Sequence, residues 1–126
     1  MTRRAATLAA SFRYASAGLR YFFATQRNAR IQAAAGAGAL VLAALLRLPP
    51  DDLAILVSVI AMVLVLETVN TALEALVDLV TQEYHPLAKQ AKDLAAGAVW
   101  LAALASLAVG ALLFVPRLWP LVRGRL

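Results

Sequence analysis

Apolar residues fill three long stretches of this chain, and a fourth stretch, at the N-terminus, mixes apolar and basic positions at helical spacing. In that first segment, residues 3–30, Leu8, Phe12, Ala15, Leu19 and Phe22 recur at intervals of four and three and form one helix face. Arg13, Arg20 and Arg27 recur every seven residues on an adjoining face. Such a helix lies in the membrane interface, with arginines reaching phosphates and phenylalanines dipping into acyl chains. As a span it would bury Arg13 and Arg20 in hydrocarbon, so the pattern predicts a surface helix.

Three spans follow. Residues 31–48 are flanked by Arg30 and Arg47 and are just long enough for a hydrocarbon core of roughly 30 Å. Their Ala/Gly-rich half (33–39) allows close approach of helix backbones. Pro49 and Pro50 are expected to end that helix, and Asp51 and Asp52 suit the positive end of the next helix dipole. The second helix, 53–80, would be about 42 Å long, so its lower end must emerge into headgroups. A turn at 81–85 precedes Pro86, which fits the first position of a helix over 86–115. Pro116 is expected to end it, leaving a short basic tail with Trp119 at the interface.

Composition supports a membrane protein of one domain, residues 1–126. Hydrophobic residues make up 63% and charged residues 15%, against roughly 45–50% and 25% in soluble domains. The net charge of +5 comes from arginines that flank apolar runs, so anionic headgroups and not nucleic acid are the expected partners. There is no cysteine, which excludes disulfides, a thiolate nucleophile and Cys-based metal sites. The first 30 residues are studded with arginine and lack an apolar core, which argues against a cleaved signal peptide. Arg3, Arg4, Arg13, Arg20, Arg27 and Arg30 with Lys89 and Lys92 outweigh Arg47, Arg117, Arg123 and Arg125 on the opposite side. That bias places the N-terminal arm and the 81–93 turn in the cytoplasm.

Glu67, Asn70, Glu74 and Asp78 carry the candidate chemistry. Their spacing advances about 300°, 400° and 400° around a helix, so they form one narrow polar stripe. The stripe continues an uncharged run, LAILVSVIAMVLVL (53–66), and ionisable groups in such a place cost roughly 2.5 kcal/mol or more each. A polar seam between helices is the plain alternative, although seams use Ser, Thr or Asn more than carboxylates. A hairpin centred near residue 83 would set Glu74 level with Lys92, Asn70 with Ala96 and Glu67 with Val99. Clustered carboxylates and an amide suit Mg²⁺, a lysine suits phosphate, and a deeper carboxylate suits a general base. These are the parts of phosphoryl transfer, though neither a P-loop nor a kinase-type glycine loop occurs. A small proton-coupled transporter and a non-catalytic scaffold remain open on these residues alone.

ETVNTALEALVD (67–78) followed by EYHPLAKQAKDLAAGAV (83–99) closely resembles the signature of the prokaryotic diacylglycerol kinase family. SFRYASAGLRY (11–21) and TQRNARI (25–31) resemble that family's N-terminal region. The resemblance implies an all-α integral membrane kinase: three transmembrane helices, an amphipathic surface helix, and a homotrimer with shared active sites. It implies a multi-pass protein of the bacterial plasma membrane, acting on its cytoplasmic side, that phosphorylates a lipid alcohol with MgATP. By resemblance Glu67 is the general base and Asn70 lies near the transferred phosphate. Glu74 is a metal ligand, and Tyr14, Glu83, Tyr84, His85, Lys92 and Asp93 contact the nucleotide. Gln26 stands where many members have a second metal-binding Glu, so the metal would meet a carbonyl oxygen and no charge there. HPLAKxAKDxAAGAV is closer to the branch that acts on undecaprenol than to the diacylglycerol branch. The bland readings are a solvated His85, a headgroup-anchoring Lys89, a locally paired Asp78, and interfacial Tyr14 and Tyr21. Ala95, Ala96, Gly97 and Ala98 are expected to line a lateral passage for the lipid beside Glu67 and Asn70.

Overall fold

The computed structural model describes residues 7–124, and within them every element is an α-helix. The four helices are α1 (Leu8–Thr25), α2 (Arg27–Leu45), α3 (Pro50–Val80) and α4 (Pro86–Arg123). Helices α2, α3 and α4 are each long and apolar enough to cross a membrane. The chain is therefore a multi-pass membrane protein. Residues 3–6, expected in the first helix, lie outside the described residues.

Thr7 caps α1, its Oγ1 accepting from Ala10 N at 3.2 Å. The expected single helix to residue 30 is interrupted at Gln26, whose backbone is extended (φ −95°, ψ 110°). A surface helix and a span point in different directions, so the chain must turn between them. It turns at one residue, and Arg27–Arg30 becomes the first turn of α2. Arg30 Nη1 reaches back to the carbonyls of Phe23 and Ala24, at 2.9 and 3.0 Å.

Packing centres on α3, with α2 and α4 against it and α1 touching through its end. Gly36 lets α2 come close: a Cβ there would fall 2.7 Å from Ile60 Cγ2. Ala43, Leu56 and Leu113 form the innermost cluster, supported by Leu40, Ile60 and Phe114. Val41, Leu101 and Leu112 are exposed on the outer faces, where hydrocarbon would cover them. At the end of α2, Arg47 N bonds to Ala44 O and Leu48 N to Ala43 O, a Schellman closure with Arg47 left-handed at φ 52°.

Three helix ends depart from expectation: α2 stops at Leu45 and not at 48, because the closure at 46–48 turns the chain before Pro49, and two others follow. Helix α3 begins at Pro50, not at 53, because proline at the first position gives up an amide that lacks a partner anyway. Asp51 and Asp52 then occupy its first turn. Helix α4 does not stop at Pro116 but runs through Pro116 and Pro120 to Arg123. Arg117 braces this stretch, donating to Leu113 O at 2.6 Å and pairing with Asp52 at the start of α3. That cross-helix pair ties the proline-containing stretch to α3 and partly compensates the local penalty of proline.

Candidate active site

Two groups of polar residues converge on the end of the molecule where α3 meets α4. The first is the stripe on α3. Glu67 is 5% exposed and is the one charged side chain buried among the described residues. One turn along, Asn70 Nδ2 donates to Glu74 Oε1 at 3.1 Å. Asn70 Oδ1 is left buried with no partner among the described residues, a costly state for an amide oxygen unless a ligand fills it. Thr68 and Thr71 spend their hydroxyls on the carbonyls of Leu64 and Glu67, so they offer no competing donor.

The second group lines a cleft of about 390 Å³ at the α3–α4 turn, where Glu83, Tyr84, His85, Lys92 and Asp93 come together with Asp78. Glu67, Asn70 and Glu74 are not part of its wall, and neither are Tyr14 and Gln26. His85 also acts locally, since its Nδ1 accepts from Leu87 N at 3.2 Å and caps α4. Lys92 Nζ bonds Asp78 Oδ1 at 2.6 Å, and Lys89 pairs with Asp93. The expected level pairing of Lys92 with Glu74 is therefore one turn off. The turn is centred on residue 83 as expected, between Val80 and Pro86, but the long Lys92 side chain leans toward the start of its own helix and so meets Asp78. Both ion pairs are largely exposed, worth about 0–1 kcal/mol each, so phosphate oxygens can displace them.

Tyr14 is exposed on α1 with the Arg13 guanidinium over its ring, and Gln26 is half-buried at the elbow. Although both the stripe and the cleft carry several carboxylates, no three His, Asp or Glu side chains among the described residues are grouped so that they could hold one metal ion. The residues expected to line a lipid passage, Ala95–Ala98, do not share one face: Gly97 and Ala98 line an open groove of about 770 Å³ with Asp93, Leu94 and Leu101. Ala95 and Val99 are buried, whereas Gly97 lies on another side of α4 with nothing within 4 Å of a Cβ. Two residues along a helix turn about 200°, so Gly97 points away from the face that carries Ala95.

An apolar groove of about 430 Å³ lies elsewhere, between α2, α3 and α4. Gly36, Ile60, Val63 and Gly110 form its walls, and Val63 is one turn from Glu67. Its polar lining is Gln32 and Ser106. Ser106 Oγ is committed to Ala103 O at 2.8 Å, while Gln32 Oε1 is buried without a partner among the described residues. Gln32 was not among the expected site residues. The available signal was that it is the only polar residue between Ile31 and Leu46.

Residues 13–114 match the family described as prokaryotic diacylglycerol kinase. A membrane-embedded lipid kinase is thus the class to which the fold and its polar stripe correspond, with ATP as co-substrate. The chain belongs to the prokaryotic diacylglycerol kinase family. It is 51% identical to the diacylglycerol kinase of Synechocystis sp. over 119 residues, 94% of this chain and 68% of that one. Against the undecaprenol kinase of Bacillus subtilis it is 42% identical over 108 residues, 86% of this chain and 88% of the other. Against the diacylglycerol kinase of Escherichia coli it is 34% identical over 89 residues, 71% and 73% of the two chains. A transporter or a non-catalytic scaffold is set aside by this membership.

Proposed function

We propose that this enzyme transfers the γ-phosphoryl group of MgATP to undecaprenol, at the cytoplasmic face of the bacterial plasma membrane, as a homotrimer of this one domain. The observation that carries the reading is Glu67, a buried carboxylate one turn from the end of an apolar groove open to lipid. In this role Glu67 takes the hydroxyl proton as the lipid oxygen attacks phosphorus, the bond to the bridging oxygen breaks, and ADP leaves. Asn70, with its unpartnered Oδ1 and its amide on Glu74, holds the polar groups around the transferred phosphate. Lys92 and Asp93, with Glu83, Tyr84 and His85 in the turn and Tyr14 on α1, contact the nucleotide.

The donors present fit Mg²⁺, which takes one or two carboxylates and completes its shell with water and phosphate oxygens. Glu74 would hold the ion, with the Gln26 carbonyl oxygen as a weaker, uncharged ligand. When bound, it neutralises charge on the β- and γ-phosphoryl oxygens. The remaining work falls to the protein: Glu67 receives the proton, and Asn70 keeps the Glu74 carboxylate oriented.

Undecaprenol is favoured by the sparse polar lining of the groove. A polyprenol has one polar group, its hydroxyl, whereas diacylglycerol brings two ester carbonyls whose desolvation demands donors. With Ser106 already committed, Gln32 alone remains to supply them. Diacylglycerol is the second reading, supported by the 51% identity to a protein of that name. Purified protein, labelled ATP and mixed micelles of either lipid separate the two. Label in undecaprenol is the expected result; label confined to diacylglycerol selects the second reading, and label in neither removes both.

A further inference from the structure

Gln26 is the only residue between α1 and α2. Every side chain from Ser11 to Tyr21 is exposed, and the buried anchor of α1 is Phe22, 2% exposed near its end. Across the bend, Ala29 of α2 is 0% exposed. Helix α1 is therefore a lever held at one end.

The last carbonyls of any helix lack intrahelical donors. At the end of α1, Phe22 O accepts from Gln26 N at 2.8 Å, and Tyr21 O accepts from Thr25 Oγ1 at 2.8 Å. Phe23 O and Ala24 O would meet the amides of Arg27 and Asn28 in an unbroken helix, but the bend takes those amides away. Arg30 supplies both missing donors from the first turn of α2. Its guanidinium also sets positive charge at the negative end of the α1 dipole. Both bonds leave one nitrogen, Nη1, whose two hydrogens are fixed in the guanidinium plane, whereas an ammonium turns freely on a flexible stem.

We infer that Arg30 is a positioning residue for the nucleotide side of the reaction: it latches the elbow, and so sets where α1 carries Tyr14 and where Gln26 stands relative to Glu74. The inference rests on the proposed assignment of Tyr14 and Gln26 to MgATP. Arg30 itself touches only backbone, so its effect must pass through the angle of α1.

The absence of cysteine makes a direct test available. Ala17→Cys on α1 and Leu79→Cys on α3 carry nitroxide labels, and labelled chains are diluted into unlabelled ones so that only distances within a chain are read. Arg30→Met keeps the aliphatic stem and removes the donors. The expected result is a broadened α1–α3 distance distribution and a KM for MgATP raised by at least about 5-fold, the low end of coupling between sites. The KM for undecaprenol or diacylglycerol in mixed micelles and the melting temperature should stay near wild type, with Arg30→Lys intermediate. An unchanged distance distribution in Arg30→Met overturns the latch. Loss of both affinities together with melting temperature overturns it too, since that is a general structural defect. Tyr14→Phe and Gln26→Ala are measured alongside: if they raise the KM for MgATP and Arg30→Met does not, the latch alone fails. If neither raises it, the assignment beneath the inference fails.

Discussion

Gly36→Ala adds one methyl group where α2 and α3 meet most closely. The new Cβ would lie 2.7 Å from Ile60 Cγ2 and 3.6 Å from Ile60 Cγ1. Carbon atoms in contact prefer about 3.5–4.0 Å, so the pair must separate by roughly 1 Å. Ile60 cannot easily yield, because a β-branched side chain in a helix has essentially one rotamer and Ile60 also packs on the Ala43–Leu56–Leu113 cluster. The helices must part instead, at a cost of about 1–3 kcal/mol. Gly38→Ala is the matched control: nothing lies within 4 Å of its Cβ, so it should be neutral or stabilising by up to about 1 kcal/mol through helix propensity. Thermal unfolding in detergent reads both. Ile60→Ala removes the clashing methyl, so adding it to Gly36→Ala should cost less than the sum of the single changes. Because Gly36 and Ile60 both line the groove, Gly36→Ala should also raise the KM for the lipid alcohol. If Gly36→Ala is as harmless as Gly38→Ala, the close approach of α2 to α3 is wrong.

Glu67→Gln should lower turnover by at least roughly 10²-fold, the usual scale for a general base, while nucleotide binding measured by calorimetry persists; near-normal turnover removes Glu67 from proton transfer. Gln26→Glu should tighten apparent Mg²⁺ affinity in a metal titration of activity and of nucleotide binding, and no change in either separates position 26 from the ion. Arg47→Gly should raise stability by about 1 kcal/mol, because the left-handed backbone at φ 52° costs a Cβ-bearing residue about that much. A lower melting temperature in that variant would show that the arginine side chain outweighs its backbone.

The helical order could be read from the chain because long apolar runs separated by Pro49–Pro50 and by Pro86 leave few alternatives. The stripe was equally legible, since Glu67, Asn70 and Glu74 share a face wherever that helix goes. What the chain hides is whatever depends on a partner distant in sequence. Pro116 reads locally as a stop, and only the Arg117–Asp52 pair, 65 residues apart, makes continuation intelligible. The α3–α4 turn falls at 81–85 as the chain suggests, but a long side chain leans along its helix, and that lean takes Lys92 to Asp78 and not to Glu74. The elbow at Gln26 has no proline or glycine to announce it; its signal is Arg30, whose bonds to Phe23 and Ala24 exist only after the bend. The Ala95–Ala98 run was divided for a simpler reason: composition suggests a passage, but angular position on α4 puts Gly97 and Ala98 on an open groove and Ala95 on a buried side.

The uncharged part of α3, Leu53 to Leu66, is 14 residues long, about 21 Å of helix against a hydrocarbon layer of roughly 30 Å. The neighbouring apolar part of α4, Leu94 to Val115, covers 22 residues, or about 33 Å. Two helices packed side by side thus present unequal hydrophobic lengths to the same bilayer. With Asp52 and Arg117 paired at the other end, the shortfall falls entirely on the end that carries Glu67. Hydrophobic mismatch is thereby built into the end that carries the polar stripe: thinning of the bilayer there, or water following the stripe inward, would cost fractions of a kcal/mol per Å. Acyl-chain length should therefore set how deeply this carboxylate sits, and bilayers of different thickness are expected to place it differently relative to the headgroups.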